Sequence, residues 1–227
     1  MKTKLFLFLT TLTVFAAVHA PAQVGYVNFV FDTGNNWFGN PLDDRTNTVT
    51  SLFYNPPNGT TVSLWNTALN SWGASATYTT GSGWSNPSLQ LMPGTGALLA
   101  TLSPFTNTFV GGVDGFDSHG NYIIPAPYTV GGKFMLSCVA PMALPQPGLD
   151  VFLAIVGREP HNGEQFTTLD PLSQTYSTTT FLGGVWDTGA PSLGVGQAAM
   201  FTLVPEPSSI CLLTVALGAF LVLRSKK

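Results

Sequence analysis

The chain has 227 residues, of which 8% are charged, against about 25% in ordinary soluble domains. Between two end segments described below, residues 23–204 hold three basic and ten acidic side chains, a net charge of −7. Three basic side chains cannot neutralise a nucleic-acid backbone or an anionic membrane surface, so the composition argues against both as partners of this region.

Residues 1–22 have the pattern of a secretory signal peptide and predict an N-terminal signal helix. Lys2 and Lys4 precede an apolar run, which small residues follow. Cleavage by signal peptidase after Ala22 would make Gln23 the first residue of the mature chain. The alternative is an uncleaved N-terminal anchor.

The first predicted strand of the mature chain is Val24–Phe31. Its residues are apolar at both odd and even positions, which indicates a strand buried on both sides. Lys133–Ala140 is a similar run later in the chain.

An internal repeat divides most of the body into two units, roughly residues 41–110 and 145–203. Turn residues and large aromatic residues recur in the same order at a spacing of 104 residues, which then shifts to 102. Shared composition alone is a poor explanation of such an ordered set, so we predict two pseudo-symmetric units. The pairs include Asn58-Gly59 with Asn162-Gly163, Trp72 with Tyr176, and Trp84 with Trp186.

Each unit is predicted to consist of short β-strands. Thr60–Trp65 alternates polar and apolar residues after an Asn-Gly turn, and Ala97–Leu102 and Ala198–Leu203 read as final strands. A unit of about 60 to 70 residues is marginal alone, so we expect one shared core. The predicted fold is all-β, a pseudo-symmetric β-sandwich or barrel-like domain over residues 23–204, and the sequence leaves sandwich and barrel open.

The connector between the units, residues 111–132, offers the closest approach to a metal site. Asp114 and Asp117, with His119 nearby, could supply oxygen ligands to Ca²⁺. The spacing is not that of an established calcium loop, and a solvated turn is the simpler interpretation. We therefore predict no metal and no cofactor, with calcium near these residues as the alternative.

The remaining reactive side chains do not form a catalytic pattern. Cys138 lies in an apolar run, as a small buried hydrophobic residue does. Glu159 and Glu164 lie near each other in sequence, but the aligned segment of the first unit keeps only the Pro and Asn-Gly, so the shared feature is a turn. We predict a protein that is not an enzyme, and a hydrolase using Glu159, Glu164 or Asp117 is the weakest alternative.

Five tryptophans suggest an alternative function in carbohydrate binding. Aromatic rings stack on sugar faces, and they also fill β-cores. Trp84 and Trp186 occupy equivalent positions in the repeat, which favours packing. Trp37 and Trp72 are the candidate ligand-binding residues of a β-sandwich module that would recognise an extracellular polysaccharide.

The chain ends in a short apolar segment between prolines and basic residues. Pro205-Glu206-Pro207 precedes the fourteen uncharged residues Ile210–Leu223, and Arg224, Lys226 and Lys227 follow. Fourteen residues cover about 21 Å as a helix, short of a hydrocarbon core of about 30 Å. The basic residues compensate, because their side chains reach the cytoplasmic interface and orient the segment. We therefore predict a transmembrane helix over 210–223.

This tail, residues 204–227, resembles the PEP-CTERM sorting signal of Gram-negative secreted proteins. The resemblance implies that Pro205, Glu206 and Pro207 are read by an exosortase, and that residues 210–223 hold the precursor transiently in the inner membrane. It further implies a final location at the cell surface or in the extracellular matrix. A permanent single-span anchor, with the body as a tethered periplasmic domain, is the alternative.

Overall fold

The computed structural model describes residues 24–113, 128–138, 143–147 and 149–205. These residues are mostly in β-sheet, which confirms the predicted all-β class. The strands of the first half are β1 (Val24–Phe31), β2 (Gly34–Gly39), β3 (Thr61–Asn66), β4 (Ser71–Thr79), β5 (Gly83–Trp84), β6 (Gly96–Thr101) and β7 (Phe105–Gly112). Those of the second half are β8 (Gly132–Ser137), β9 (Gln165–Asp170), β10 (Thr175–Leu182), β11 (Val185–Trp186) and β12 (Ala198–Leu203). Two short helices are α1 (Val49–Leu52) and α2 (Val151–Val156).

The strands form two five-stranded sheets with the same topology and one two-stranded ribbon. Sheet 1 has the order β2-β6-β3-β4-β5, sheet 2 has the order β8-β12-β9-β10-β11, and β1 pairs with β7 in the ribbon. The named strand pairs are antiparallel. Strand equivalence between the sheets includes β2 and β8, which lie before the predicted starts of the units at residues 41 and 145.

The shift in repeat spacing from 104 to 102 residues has two structural causes. Between the pairs Ser63–Ser75 and Trp65–Trp72, β4 has one more residue than β3, whereas β10 pairs with β9 without a bulge. The hairpin between Thr79 and Gly83 is also one residue longer than the hairpin between Leu182 and Val185. One of the two length differences therefore lies within a strand rather than in a loop.

The Asn-Gly pair shared by the units performs the same local task twice. Gly59 and Gly163 adopt left-handed φ angles of 82° and 90°, which glycine reaches without steric cost. The preceding Asn58 side chain accepts a hydrogen bond from the Thr80 amide, and Asn162 accepts one from Gly183. Each pair thus turns the chain into β3 or β9 and fixes the hairpin that follows β4 or β10.

The buried side chains form one core for each sheet rather than the single shared core expected. Phe38 and Leu99 of sheet 1 pack with Phe53, which follows α1, and with the ribbon. In sheet 2, Phe166 and Phe201 pack with α2. Each sheet has its own helix and covering segments on one face, so its core closes without the other unit.

A small third cluster lies between the two sheets. It consists of Met135, Ala198 and Met200 of sheet 2, against which Trp37 and Trp65 of sheet 1 pack. Neighbouring residues along a strand point to opposite faces, so Trp37 reaches this cluster while Phe38 reaches the sheet 1 core. Each sheet therefore packs its core on one face and contacts the other sheet with the opposite face.

Two reciprocal backbone hydrogen bonds join the sheets. The Gly39 amide donates to the Gly196 carbonyl at 2.9 Å, and the Ser137 amide donates to the Gly94 carbonyl at 3.0 Å. Gly39 and Ser137 end the equivalent strands β2 and β8, while Gly94 and Gly196 precede the equivalent strands β6 and β12. Each unit thus donates one backbone hydrogen bond to the other and accepts one at the equivalent position.

The strand β1 is not buried on both sides, as its sequence suggested. Its residues alternate between exposed and partly buried up to the buried Phe31, and Tyr26 and Val30 are exposed. The reason is that β1 pairs only with β7, and this ribbon covers the sheet 1 core with one face. β8 also departs from the expectation, since Lys133 is exposed.

Gly39→Ala is expected to lower the free energy of unfolding by about 2–3 kcal/mol, because it overpacks the crossing of the sheets. A Cβ at this position would lie 1.9 Å from Ser137 Oγ and 2.2 Å from Ser137 Cβ. Urea denaturation measures the change. Gly112→Ala is the control, because its Cβ would meet only the Asp43 carbonyl oxygen at 3.6 Å. Equal stability of the two variants would contradict the prediction.

Candidate functional site

The predicted sorting triplet begins at the last described residue. Pro205 is exposed and follows β12. Glu206, Pro207 and the rest of the tail lie outside the described residues, as do Ala22, Gln23, Asp114 and Asp117. Among the described residues, no helix is long and apolar enough to cross a membrane.

A buried ion pair lies beside Val204, close to the last described residue of the chain. Glu164 is fully buried and binds Arg158 through both carboxylate oxygens, with Oε1–Nη2 at 2.7 Å and Oε2–Nη1 at 2.9 Å. Oε2 also accepts from the His161 amide at 2.9 Å, and Oε1 from the Val204 amide at 3.1 Å. The carboxylate therefore fixes Val204, the residue immediately before the triplet.

Hydrogen bonding keeps Glu164 ionised despite its burial. Burial raises the pKa of the carboxyl group. The hydrogen bonds from the Arg158 side chain and from the amides of His161 and Val204 lower the pKa by more than burial raises it, so the pKa lies below its ordinary value. Both oxygens are occupied by these donors, which leaves neither positioned as a general base. The pKa of the exposed Glu159 is instead raised, because the Asp150 carboxylate repels its charge.

The first unit has no such ion pair at the equivalent place. Thr60, which corresponds to Glu164, is buried and donates its hydroxyl to Thr101 Oγ1 at 3.3 Å. Tyr54, which corresponds to Arg158, is 95% exposed. Beyond β6, the first unit continues into β7. Sequence reasoning interpreted the second segment as a turn and missed the ion pair, although two opposite charges six residues apart in a nearly uncharged body were the available signal.

Pro205 is held against a glycine as well. A Cβ on Gly131 would lie 2.5 Å from Pro205 Cδ and 2.7 Å from its nitrogen, so the ring fits only because residue 131 has no side chain. Together with the Glu164 carboxylate, this contact fixes the last two described residues, Val204 and Pro205, against the second unit.

The two tryptophans predicted as ligand candidates have different surroundings. Trp37 is half-buried, packs on Tyr176 with ring centroids 5.2 Å apart, and contacts the cluster between the sheets, so it is not the open surface residue expected. Trp72 is 36% exposed and contacts Trp65 edge-on at 5.3 Å. Trp72 thus remains on the surface, whereas Trp37 has the contacts of a packing residue.

A pocket of about 480 Å³ lies between the sheets, and its lining includes Trp65 and Met135. The equivalent groove on the other side of the crossing, which Trp37 and Leu169 line, encloses only about 20 Å³. Trp37 occupies the place that Met135 has in the larger pocket, and its indole, with Phe29 from the ribbon, fills the groove. In the larger pocket, the carbonyls of Gly94 and Thr95 already accept hydrogen bonds from Ser137.

The described residues contain no group of three or more His, Cys, Asp or Glu side chains placed to hold a metal ion. No protein-family model, curated protein or solved structure matches this chain.

Glu164→Gln is expected to lower the free energy of unfolding by about 3 kcal/mol at pH 7, because it removes the buried carboxylate charge and one of the two oxygens to which Arg158 donates. Urea denaturation followed by circular dichroism measures the loss. Glu159→Gln is the matched control and is expected to change stability by less than about 0.5 kcal/mol, since that side chain is exposed. A Glu164→Gln variant as stable as this control would contradict the structural role.

Acidification is expected to remove the Glu164 contribution in the wild-type chain. The folded-state pKa lies below the ordinary value of about 4.5, so the contribution is present above that pH and is lost as the pH falls through the folded-state pKa. The stability difference between wild type and Glu164→Gln should therefore shrink as the pH falls below the ordinary carboxyl value of about 4.5. Denaturation at stepped pH values measures it, and a difference independent of pH would contradict the expectation.

Proposed function

We propose that this chain is an exported, non-enzymatic surface or extracellular-matrix protein that is sorted through a PEP-CTERM tail and processed by an exosortase. The observation that carries the proposal is that Pro205, the first residue of the triplet, is exposed directly after Val204, which Glu164 holds. A processing enzyme needs access to its recognition element, and the exposed Pro205 supports that arrangement.

The short linker would keep the folded domain near the membrane in this proposal. Five residues, 205–209, separate Val204 from Ile210, and even fully extended they span at most about 17 Å. The folded domain would therefore lie close to the outer surface of the inner membrane while residues 210–223 hold it there. In this proposal signal peptidase acts at Ala22 and Gln23, the exosortase acts at the triplet, and the membrane is a transient partner.

We also propose that the two units are internal repeats of one pseudo-symmetric β-sandwich-like domain. The equal strand order of the sheets and the reciprocal hydrogen bonds of Gly39 and Ser137 support this view. The proposal of a protein without enzymatic activity is supported by the occupied oxygens of Glu164, which remove it as an acid or base. The extracellular matrix is then the place where the domain meets its partners.

Mass spectrometry of the chain from inner-membrane, outer-membrane and extracellular fractions tests the sorting proposal. In the outer fractions we expect a start at Gln23 and a C-terminus between Pro205 and Ser209. The variant with alanine at 205, 206 and 207 should keep Lys227 and stay in the inner membrane. An intact Lys227 in every fraction of the wild type would instead favour a permanent single-span anchor.

A further inference from the structure

A second pocket, called here the α1 pocket, opens beside α1 and β5 on the outer side of sheet 1. It encloses about 440 Å³, and its lining includes Thr50, Tyr54, Tyr78, Ser82 and Trp84. Small-molecule sites are typically concave, rich in aromatic side chains and about 300–1,000 Å³ in volume. The α1 pocket fits that description.

A buried donor without a partner lies in the wall of this pocket. Trp84 is 7% exposed, and its Nε1 group has no hydrogen-bond acceptor among the described residues. The indole is held in place by Tyr78 and Phe53, with ring centroids 5.5 and 6.0 Å away. The Nε1 atom itself is closed off from solvent, so this N–H group offers no hydrogen bond to a molecule in the pocket, and Trp84 contributes an aromatic wall.

The second unit has a phenylalanine at the corresponding position of its helix. Phe152 occupies the second position of α2, as Thr50 does in α1, and it is buried against Trp186 with ring centroids 5.1 Å apart. Thr50 is exposed and donates its hydroxyl to the Pro87 carbonyl at 3.0 Å. Thr50 is therefore a lining residue at which a larger side chain would enter the α1 pocket.

The lining indicates the kind of molecule that would bind. It contains no charged side chain, and residues 23–204 have a net charge of −7, so anionic ligands are disfavoured. Tyr54 presents a 95% exposed ring, while Thr50, Ser82 and Tyr78 bring hydroxyl groups, the last of which donates to Asn55 Oδ1 at 2.7 Å. An exposed aromatic ring beside hydroxyl groups complements a molecule with an apolar face and a hydroxylated edge.

We propose that the α1 pocket binds a neutral saccharide. A pyranose ring would stack its apolar C–H face on Tyr54, and its hydroxyl groups would exchange hydrogen bonds with those of Thr50 and Ser82. This site differs from Trp37 and Trp72, and the proposal does not depend on how the tail is sorted.

Isothermal titration of the purified full-length chain tests the proposal. The protein is kept in a detergent without a sugar headgroup, and the probes are neutral tetrasaccharides of glucose, galactose, mannose and N-acetylglucosamine at millimolar concentrations. We expect at least one to bind. Thr50→Phe, which introduces the residue of the second unit, should weaken that binding at least about tenfold by filling the pocket, and Tyr54→Ala should do the same by removing the platform.

Two controls separate pocket filling from loss of structure. Thr50→Val also lacks the hydroxyl but leaves the pocket open, so its affinity should lie between those of wild type and Thr50→Phe. Trp72→Ala removes an exposed aromatic residue elsewhere and should bind as wild type does. Absence of binding by all four probes, or equal binding by wild type, Thr50→Phe and Tyr54→Ala, would overturn the proposal. Neither result would bear on the mapping of the termini, so the sorting proposal stands or falls separately.

Discussion

The close crossing of two backbones organises this fold. Sheet 1 and sheet 2 share a small apolar cluster, and the Gly39 and Ser137 amides fix their relative position through the carbonyls they reach. Side-chain hydrogen bonds from Trp65 to the Lys133 carbonyl and between Gln174 and the Asn35 backbone add to this contact. Such an approach requires missing side chains: a Cβ on Gly96 would lie 2.6 Å from Met135 Cγ and 2.8 Å from Ala198 Cβ. Each unit then builds its core on the opposite face, which leaves the two cores free to differ in detail.

The Glu164–Arg158 ion pair is a second constraint, and it acts on the backbone at Val204. Placing Glu164 and Arg158 in the interior costs desolvation that an apolar pair would avoid. The ion pair fixes the position of the backbone, because the Glu164 carboxylate, held by Arg158, accepts a hydrogen bond from the Val204 amide. A hydrophobic replacement could fill the same space but could not hold a backbone N–H.

The sequence predicted the class of fold and several strands because short-range patterns dictate them. β1 and β12 begin and end at their predicted residues, and the aligned Asn-Gly pairs are turns in both units. The separation into two cores was not predictable, since it depends on which face each sheet presents to its helix. The Glu164 ion pair and the α1 pocket were missed for a related reason: both emerge only when equivalent positions of the two units are compared in space.

The reciprocal contact has the geometry of an interface between identical subunits, in which each partner gives and receives the same hydrogen bond. In a homodimer every substitution appears twice, so a change that opens a pocket in one subunit opens it in the other. Two units on one chain escape that rule. Thr50 and Phe152, or Thr60 and Glu164, can differ without any cost to the shared crossing. Because the two units are parts of one chain, the first unit can keep an open cavity while the second unit holds Val204 through its ion pair.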